Sequence, residues 1–155
     1  MRIALFQPDI APNVGAVLRL GACLGVPVDI IEPCGFVLGS AGVRRAGMDY
    51  IELATLVRHR SWQGYLEARA AEETPGRLIL LTTKGDECYH RFRFAPDDTL
   101  LAGRESAGVP DEVHEAADAR LHIPMSAKAR SLNLVSALAL ALGEALRQTE
   151  RFPGD

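Results

Sequence analysis

Two segments of this chain, the first of them glycine-rich, have the composition of ligand-binding loops. One runs Leu100-Leu101-Ala102-Gly103-Arg104-Glu105-Ser106-Ala107-Gly108-Val109-Pro110; the other joins Ile123-Pro124-Met125 to Arg130-Ser131-Leu132-Asn133-Leu134. Each leaves an apolar, strand-like run and carries few polar side chains. That combination builds small-molecule pockets at the strand ends of an α/β sheet, and a ligand site is expected there. A third segment, Gln7-Pro8-Asp9-Ile10-Ala11-Pro12-Asn13-Val14-Gly15, leads into a helix with Arg19 on its second turn. Residues six apart lie about 240° apart around a helix and about 9 Å along it. Asn13 and Arg19 therefore share no face and would cooperate only on a substrate lying across the helix start. Read from residue types alone, Asn13 is a helix cap and Arg19 a solvated charge.

The elements that must position these segments are legible as periodicity. Ile3 to Phe6, Val28 to Ile31, Leu78 to Leu81, Leu100 to Ala102 and Leu121 to Ile123 are short apolar runs, the signature of strands buried on both faces. Helical patterns cover about 14 to 24, 61 to 73 and 110 to 116, and a last helix about 131 to 149. The alternation predicts a repeated β-α-β order and a mostly parallel sheet with flanking helices. Ser61 is suited to cap the second helix, Pro110 to open the third, and Gly25 followed by Pro27 to end the first. The last helix is apolar almost all round between Ser136 and Glu144, with Leu138, Leu140 and Leu142 among the residues that leave no polar face. Such a helix is buried all round, either at the centre of one chain or partly against a second copy, and a homodimer is the expectation.

Composition excludes several classes. With 155 residues, 48% hydrophobic and 24% charged, the chain fits a single globular domain, residues 1–155. No run reaches the length of a membrane span and Met1-Arg2-Ile3 enters a strand directly, so no membrane association and a cytoplasmic location are expected. Cys23, Cys34 and Cys88 form no CxxC pair, and His59, His90, His114 and His122 lack ligand spacing; reduced thiols and no metal are expected. A net charge of -3 argues against broad phosphate binding and leaves room only for local RNA contacts. Candidates for such contacts are Arg44, Arg45, Arg58, His59, Arg60, Lys128 and Arg130.

Asn13-x-Gly15 with Arg19, Gly103-x-Glu105-x-x-Gly108, and Ile123-Pro124-Met125 with Ser131-x-Asn133 together resemble the three motifs of the SPOUT RNA methyltransferases. Ile31-Glu32-Pro33-x-Gly35-Phe36, Arg44-Arg45-Ala46-Gly47-x-Asp49-Tyr50 and Leu81-Thr82-Thr83-Lys84-Gly85 resemble the family's short TrmL branch, which methylates the ribose 2'-oxygen of the wobble nucleotide, position 34, of certain tRNAs. The resemblance covers nearly the whole chain. The chain departs from that branch at Arg104, where proline is common, at Ser106-Ala107, where a Thr-Arg pair is common, and at Gly143, where related proteins have tyrosine.

The resemblance implies an α/β domain whose C-terminal part is a deep trefoil knot, with S-adenosylmethionine held by the knot loops of a dimer and tRNA as substrate. It places cofactor contacts at Leu81, Gly103, Ile123, Met125 and Ser131, largely through backbone. Arg19 is placed at the reacting hydroxyl, with Asn13, Glu105, Ser131 and Asn133 holding it and the substrate. The protein's task in such a reaction is to align a poor nucleophile and give its proton a destination. A guanidinium is always protonated, so contact with a phosphate or a developing oxyanion suits Arg19 better than proton removal. Glu105 is suited to orient Arg19 or to cap the helix near Pro110, and Ser131 alone would be an ordinary helix cap. Two other RNA readings follow: the same chemistry on another tRNA or rRNA nucleotide, or a non-catalytic knotted RNA-binding factor, against which the presence of Arg19, Glu105, Ser131 and Asn133 argues. A flavodoxin-like nucleotide-binding module is disfavoured because Gly103 to Gly108 lacks a phosphate-cradling pattern.

Overall fold

The computed structural model describes residues 1–154. The chain forms β1 (Arg2–Phe6), α1 (Ala11–Leu24), β2 (Val28–Ile31), α2 (Ala41–Gly47) followed by a 3-10 turn (Met48–Ile51), and β3 (Leu56–His59). It continues through α3 (Trp62–Ala70), β4 (Leu78–Leu81), β5 (Glu87–Cys88), β6 (Thr99–Ala102), α4 (Asp111–Ala116), β7 (Ala119–His122) and α5 (Leu134–Thr149). All pairings are parallel, and the sheet order is β3-β2-β1-β6-β4-β7-β5. Late strands are inserted among early ones: β6 lies between β1 and β4, and β7 between β4 and β5.

The apolar strands divide by alternation. Ile3, Leu5, Val28, Ile30, Ile79, Leu100 and Leu121 face one way, into a core with Val14, Val17 and Leu18 of α1 and Leu138, Leu142 and Leu146 of α5. Ala4, Phe6, Ile31, Leu78, Leu80 and Leu101 face the other way, against Trp62 and Tyr65 of α3 and Val113 of α4. Each fully buried Leu or Ile contributes about 1.5–3 kcal/mol, which makes the doubly covered centre of the sheet its most stable part. Buried charge is paired: Asp29 accepts from Arg2 Nε (2.8 Å) and lies 2.7 Å from His59 Nε2, and Asp98 is bonded to Arg77. α1 crosses α2 closely at Gly15, where a Cβ would fall 2.3 Å from the Val43 carbonyl oxygen.

The five expected strands are present, with β6 starting at Thr99 and β7 spanning Ala119–His122, so that Ile123 lies just past the strand end. Two more were not expected. β3 is an edge strand whose Leu56, Val57 and Arg58 are exposed, and β5 has two residues, so neither carries a buried-strand pattern. Gly25, with φ 65°, ends α1, and Ser61 Oγ accepts from Gly64 N–H to cap α3. Three expected boundaries need correction. α1 starts at Ala11 with Ile10 at its N-cap, because Pro12 sets the first turn; Asn13 lies inside the helix and is not its cap. α5 starts at Leu134, with Asn133 rather than Ser131 as its cap. Pro110 occupies the N-cap of α4, one position earlier than the first helical residue. The apolar girdle of α5 is not covered all round within one chain: Leu140 is 45% exposed and Ala139 is exposed. Among the described residues no helix is long and apolar enough to cross a membrane.

Candidate active site

Parallel strands end together, and the loops that leave β4, β6 and β7 enclose a cavity of about 460 Å³ at those ends. Its walls come from Leu81 at the end of β4 and Thr82 after it, Gly103 and Glu105 after β6, Ile123 and Met125 after β7, Ser131 to Asn133, and Ala137 on α5. Ile10 and Asn13 close it from the α1 side. Leu81, Gly103, Ile123, Met125 and Ser131, expected at the cofactor, thus lie on one cavity with Asn13, Glu105 and Asn133.

The loop after β6 doubles back on itself. Arg104 and Gly108 exchange backbone hydrogen bonds (3.0 and 2.7 Å), and Gly108 has φ 68°. A Cβ on Gly103 would meet Val109 Cγ1 at 2.8 Å and the Gly108 carbonyl carbon at 2.9 Å, so only glycine permits this closure without movement. The turn presents Glu105 to the start of α1. Glu105 Oε2 accepts from Asp9 N–H (3.0 Å) and Oε1 from Asn13 Nδ2 (3.0 Å). Asn13 Oδ1 then accepts from Asn133 Nδ2 (3.2 Å), and Asn133 Oδ1 accepts from the N–H of Val135 (2.9 Å) and Ser136 (3.4 Å).

This relay has one consistent polarity. An ionised carboxylate only accepts, so it fixes the Asn13 amide with nitrogen toward Glu105 and oxygen toward Asn133. Asn133 must then offer its nitrogen to Asn13, which leaves its oxygen for the N-terminus of α5. Three segments far apart in sequence are in this way keyed to one another at the cavity rim. Within the chain the Glu105 carboxylate holds Asp9 N–H and the Asn13 side chain.

Arg19 is the one expected site residue that does not line the cavity. It is exposed on α1, its guanidinium carbon 5.0 Å from the centroid of the Tyr50 ring. Of the basic residues expected at RNA, Arg58 pairs with Glu32 (2.6 Å) and His59 is half-buried against Asp29. Arg44, Arg45, Arg60, Lys128 and Arg130 remain exposed. Gly143 has no neighbour within 4 Å of where a Cβ would stand, so packing within the chain does not require glycine there. Sequence reading missed Gln7, Asp9, Arg104 and Ser106 as a unit: Arg104 bonds Gln7, and the Ser106 hydroxyl donates to Asp9 Oδ2. Beside them lies Cys34, whose thiol burial pushes up to about 11.

The donor set discriminates between ligand classes. Its polar side chains are hydroxyls, amides and the Glu105 carboxylate, set among Leu80, Leu121, Met125 and Leu134. The one cationic lining residue, Arg104, is bonded to Gln7. Such walls suit an uncharged heterocycle and a positively charged group and offer no phosphate cradle, so they fit S-adenosylmethionine and not FMN. Among the described residues no group of three or more His, Cys, Asp or Glu could hold a metal ion.

Comparison with known proteins agrees. The SpoU rRNA methylase family profile matches residues 1–143. A tRNA (cytidine(34)-2'-O)-methyltransferase of Ancylobacter novellus is 52% identical over 152 residues, covering 98% of this chain and 95% of the relative. A solved structure bearing on 2-OH methylation of C/U34 on tRNA is 39% identical with a TM-score of 0.88, covering 95% and 94% of the two chains. The SpoU methyltransferase AviRb from Streptomyces viridochromogenes, in complex with the cofactor AdoMet, superposes at a TM-score of 0.83 with 28% identity, over 96% of this chain and 60% of that one.

Proposed function

The chain belongs to the SpoU rRNA methylase family, and from that premise we propose that it is a tRNA 2'-O-methyltransferase acting on the ribose of the wobble nucleotide, cytidine or modified uridine 34. The observation that carries this reading is the cavity at the ends of β4, β6 and β7, on which the residues matching the cofactor motifs converge. The names of its relatives give the substrate. When bound, S-adenosylmethionine supplies a methyl group already activated by its sulfonium charge. Leu81, Gly103, Ile123, Met125 and Ser131 would hold it, the apolar walls taking the adenine and backbone groups its edges. Glu105 and Asn13 fix the rim across which the ribose enters, and Asn133 locks that rim to α5. Binding energy at the exposed arginines serves to align the hydroxyl, the larger part of what this reaction needs from a protein.

The whole chain, 1–155, acts as one SPOUT domain in the cytoplasm. The insertion of β6 and β7 between earlier strands supports a C-terminal trefoil knot, a topology so rare that generic connection rules would reject it. A homodimer is part of the proposal, because Leu140 and Ala139 leave an apolar strip of α5 exposed. Arg19, off its own cavity, would serve the cavity of a second copy, meeting the ribose oxygen or a flanking phosphate as a fixed cation. The test is methyl transfer from labelled S-adenosylmethionine to tRNA lacking the modification, followed by nuclease mapping. Label in a 2'-O-methyl pyrimidine at position 34 is expected; label elsewhere in tRNA, or in ribosomal RNA as the family's name suggests, would replace the substrate and keep the chemistry.

A further inference from the structure

We infer that Arg104 is a positioning residue for methyl transfer: by clamping Gln7 at the exit of β1 it sets Glu105 on Asn13. This deepens, and rests on, the reading above. Gln7 has φ 44°, a left-handed conformation that a residue with a Cβ keeps only where its surroundings over-determine it. Arg104 supplies that determination from the neighbouring strand's exit. Its Nε donates to the Gln7 carbonyl oxygen (3.1 Å) and its Nη2 to Gln7 Oε1 (2.7 Å), seizing main chain and side chain of one residue together. The next residue, Glu105, accepts from Asp9 N–H, and the next, Ser106, donates to Asp9 Oδ2. Three successive residues of one loop are thus bonded to the loop that turns the chain from β1 into α1.

Geometry gives Arg104 the end of this zipper nearest the sheet. The strands β1 and β6 are paired with Leu5 opposite Ala102, so Gln7 and Arg104 are the equivalent positions just past the two strand ends. A planar, five-donor guanidinium suits that place because it can grip a carbonyl and an amide oxygen in one fork. If Gln7 relaxed, Asp9 would shift, and with it the N–H that holds Glu105 Oε2. Glu105 would then address Asn13 with only half of its constraint. An Arg104 committed to Gln7 is also no longer a free cation for RNA, so it acts on the turnover step and not on tRNA binding.

The experiment uses the full-length protein, compared as wild type, Arg104→Ala, Arg104→Lys, Gln7→Ala and the double variant Gln7→Ala/Arg104→Ala. Read-outs are kcat and KM for tRNA, the Kd for S-adenosylhomocysteine by calorimetry, and Tm. Arg104→Ala is expected to lower kcat by about tenfold or more, with KM and Kd within about twofold, as for a loss of alignment. Lysine should restore part of kcat through one retained bond, and the double variant should lose no more than Arg104→Ala alone. An unchanged kcat overturns the inference. So does a raised KM at constant kcat, which would make Arg104 an RNA contact, or a loss that tracks Tm and is not rescued by lysine. If Arg104→Ala does not fold, Gln7→Ala decides by the same split. A wild type that transfers no methyl group overturns the functional reading instead. The clamp is then judged by the Asn13 side-chain amide resonances, which must move in Arg104→Ala and would refute it by staying fixed.

Discussion

The loop ends of β4, β6 and β7 and the outer faces of α1 and α5 differ in how far one chain finishes them. At the loop ends, Glu105, Asn13 and Asn133 are joined donor to acceptor, and apolar walls close around a defined cavity. On the helices, Arg19 is exposed and does not line that cavity, and Leu140 stands 45% exposed. The difference teaches that the cavity proposed for the cofactor is preorganised within the protomer, whereas the substrate half is proposed to form only where two copies meet. Binding of cofactor and turnover should therefore be separable by mutation.

Arg19→Ala is expected to have the largest effect. Removing the cation proposed to meet the reacting oxygen should cut methyl transfer by about a hundredfold or more, with S-adenosylhomocysteine affinity within about twofold by calorimetry. Equal loss of both would break the comparison. Leu140→Asp places a charge on the exposed strip of α5; sedimentation should show a monomer that binds cofactor analogue and has lost most transfer. A dimer of unchanged stability would remove the helix face from the account. Asn13→Ala interrupts the relay and should cost about 0.5–1.5 kcal/mol in chemical denaturation, by removing a half-buried bond to Glu105 and an exposed one to Asn133. A cycle with Asn133→Ala should show coupling, since the two amides share a bond.

Gly103→Ala should cost about 1–3 kcal/mol and weaken cofactor binding, because the added Cβ must displace Val109 or the Gly108 backbone. Wild-type stability in this variant would mean that the turn has room the distances deny. The smallest effect concerns thiols. A thiol raised to about 11 stays protonated at neutral pH, and only the thiolate reacts, so Cys34 should alkylate slowly until the pH approaches that value. Exposed Cys23 should react first by mass mapping, and bound S-adenosylhomocysteine should leave its rate unchanged.

What could be read from the sequence follows from the range of the interactions concerned. Leu78 to Leu81 announced itself because a strand covered on both faces needs an unbroken apolar run, and Val28 to Ile31 was legible although Asp29, whose carboxylate is paired with Arg2 and His59, interrupts its run. β3 did not, since an exposed edge strand such as Leu-Val-Arg-His lacks both the run and the alternation. Asn13 was misplaced as a cap because a side chain that can cap a helix can equally reach across to another loop; its partner Glu105 lies 92 positions away. The same distance hid the clamp of Arg104 on Gln7, 97 positions apart, which no local spacing encodes. The cavity residues were nevertheless found, through three motifs whose convergence is a property of the fold and not of any one segment. The all-round apolar character of α5 was legible, but the sequence could not say which part of it one chain covers.

The central claim, a site completed by a second copy, is most directly tested by coexpressing two differently tagged inactive chains. One carries Arg19→Ala and the other Ser131→Trp, which fills the cofactor cavity. In a mixed dimer with Arg19 acting across the interface, one cavity receives both defects and the other receives none. The account predicts full turnover from that intact cavity, so a statistical mixture with half its dimers mixed should regain about a quarter of wild-type transfer to position 34. No recovery in purified mixed dimers, each parent being inactive, would contradict it and return Arg19 to the cavity of its own chain.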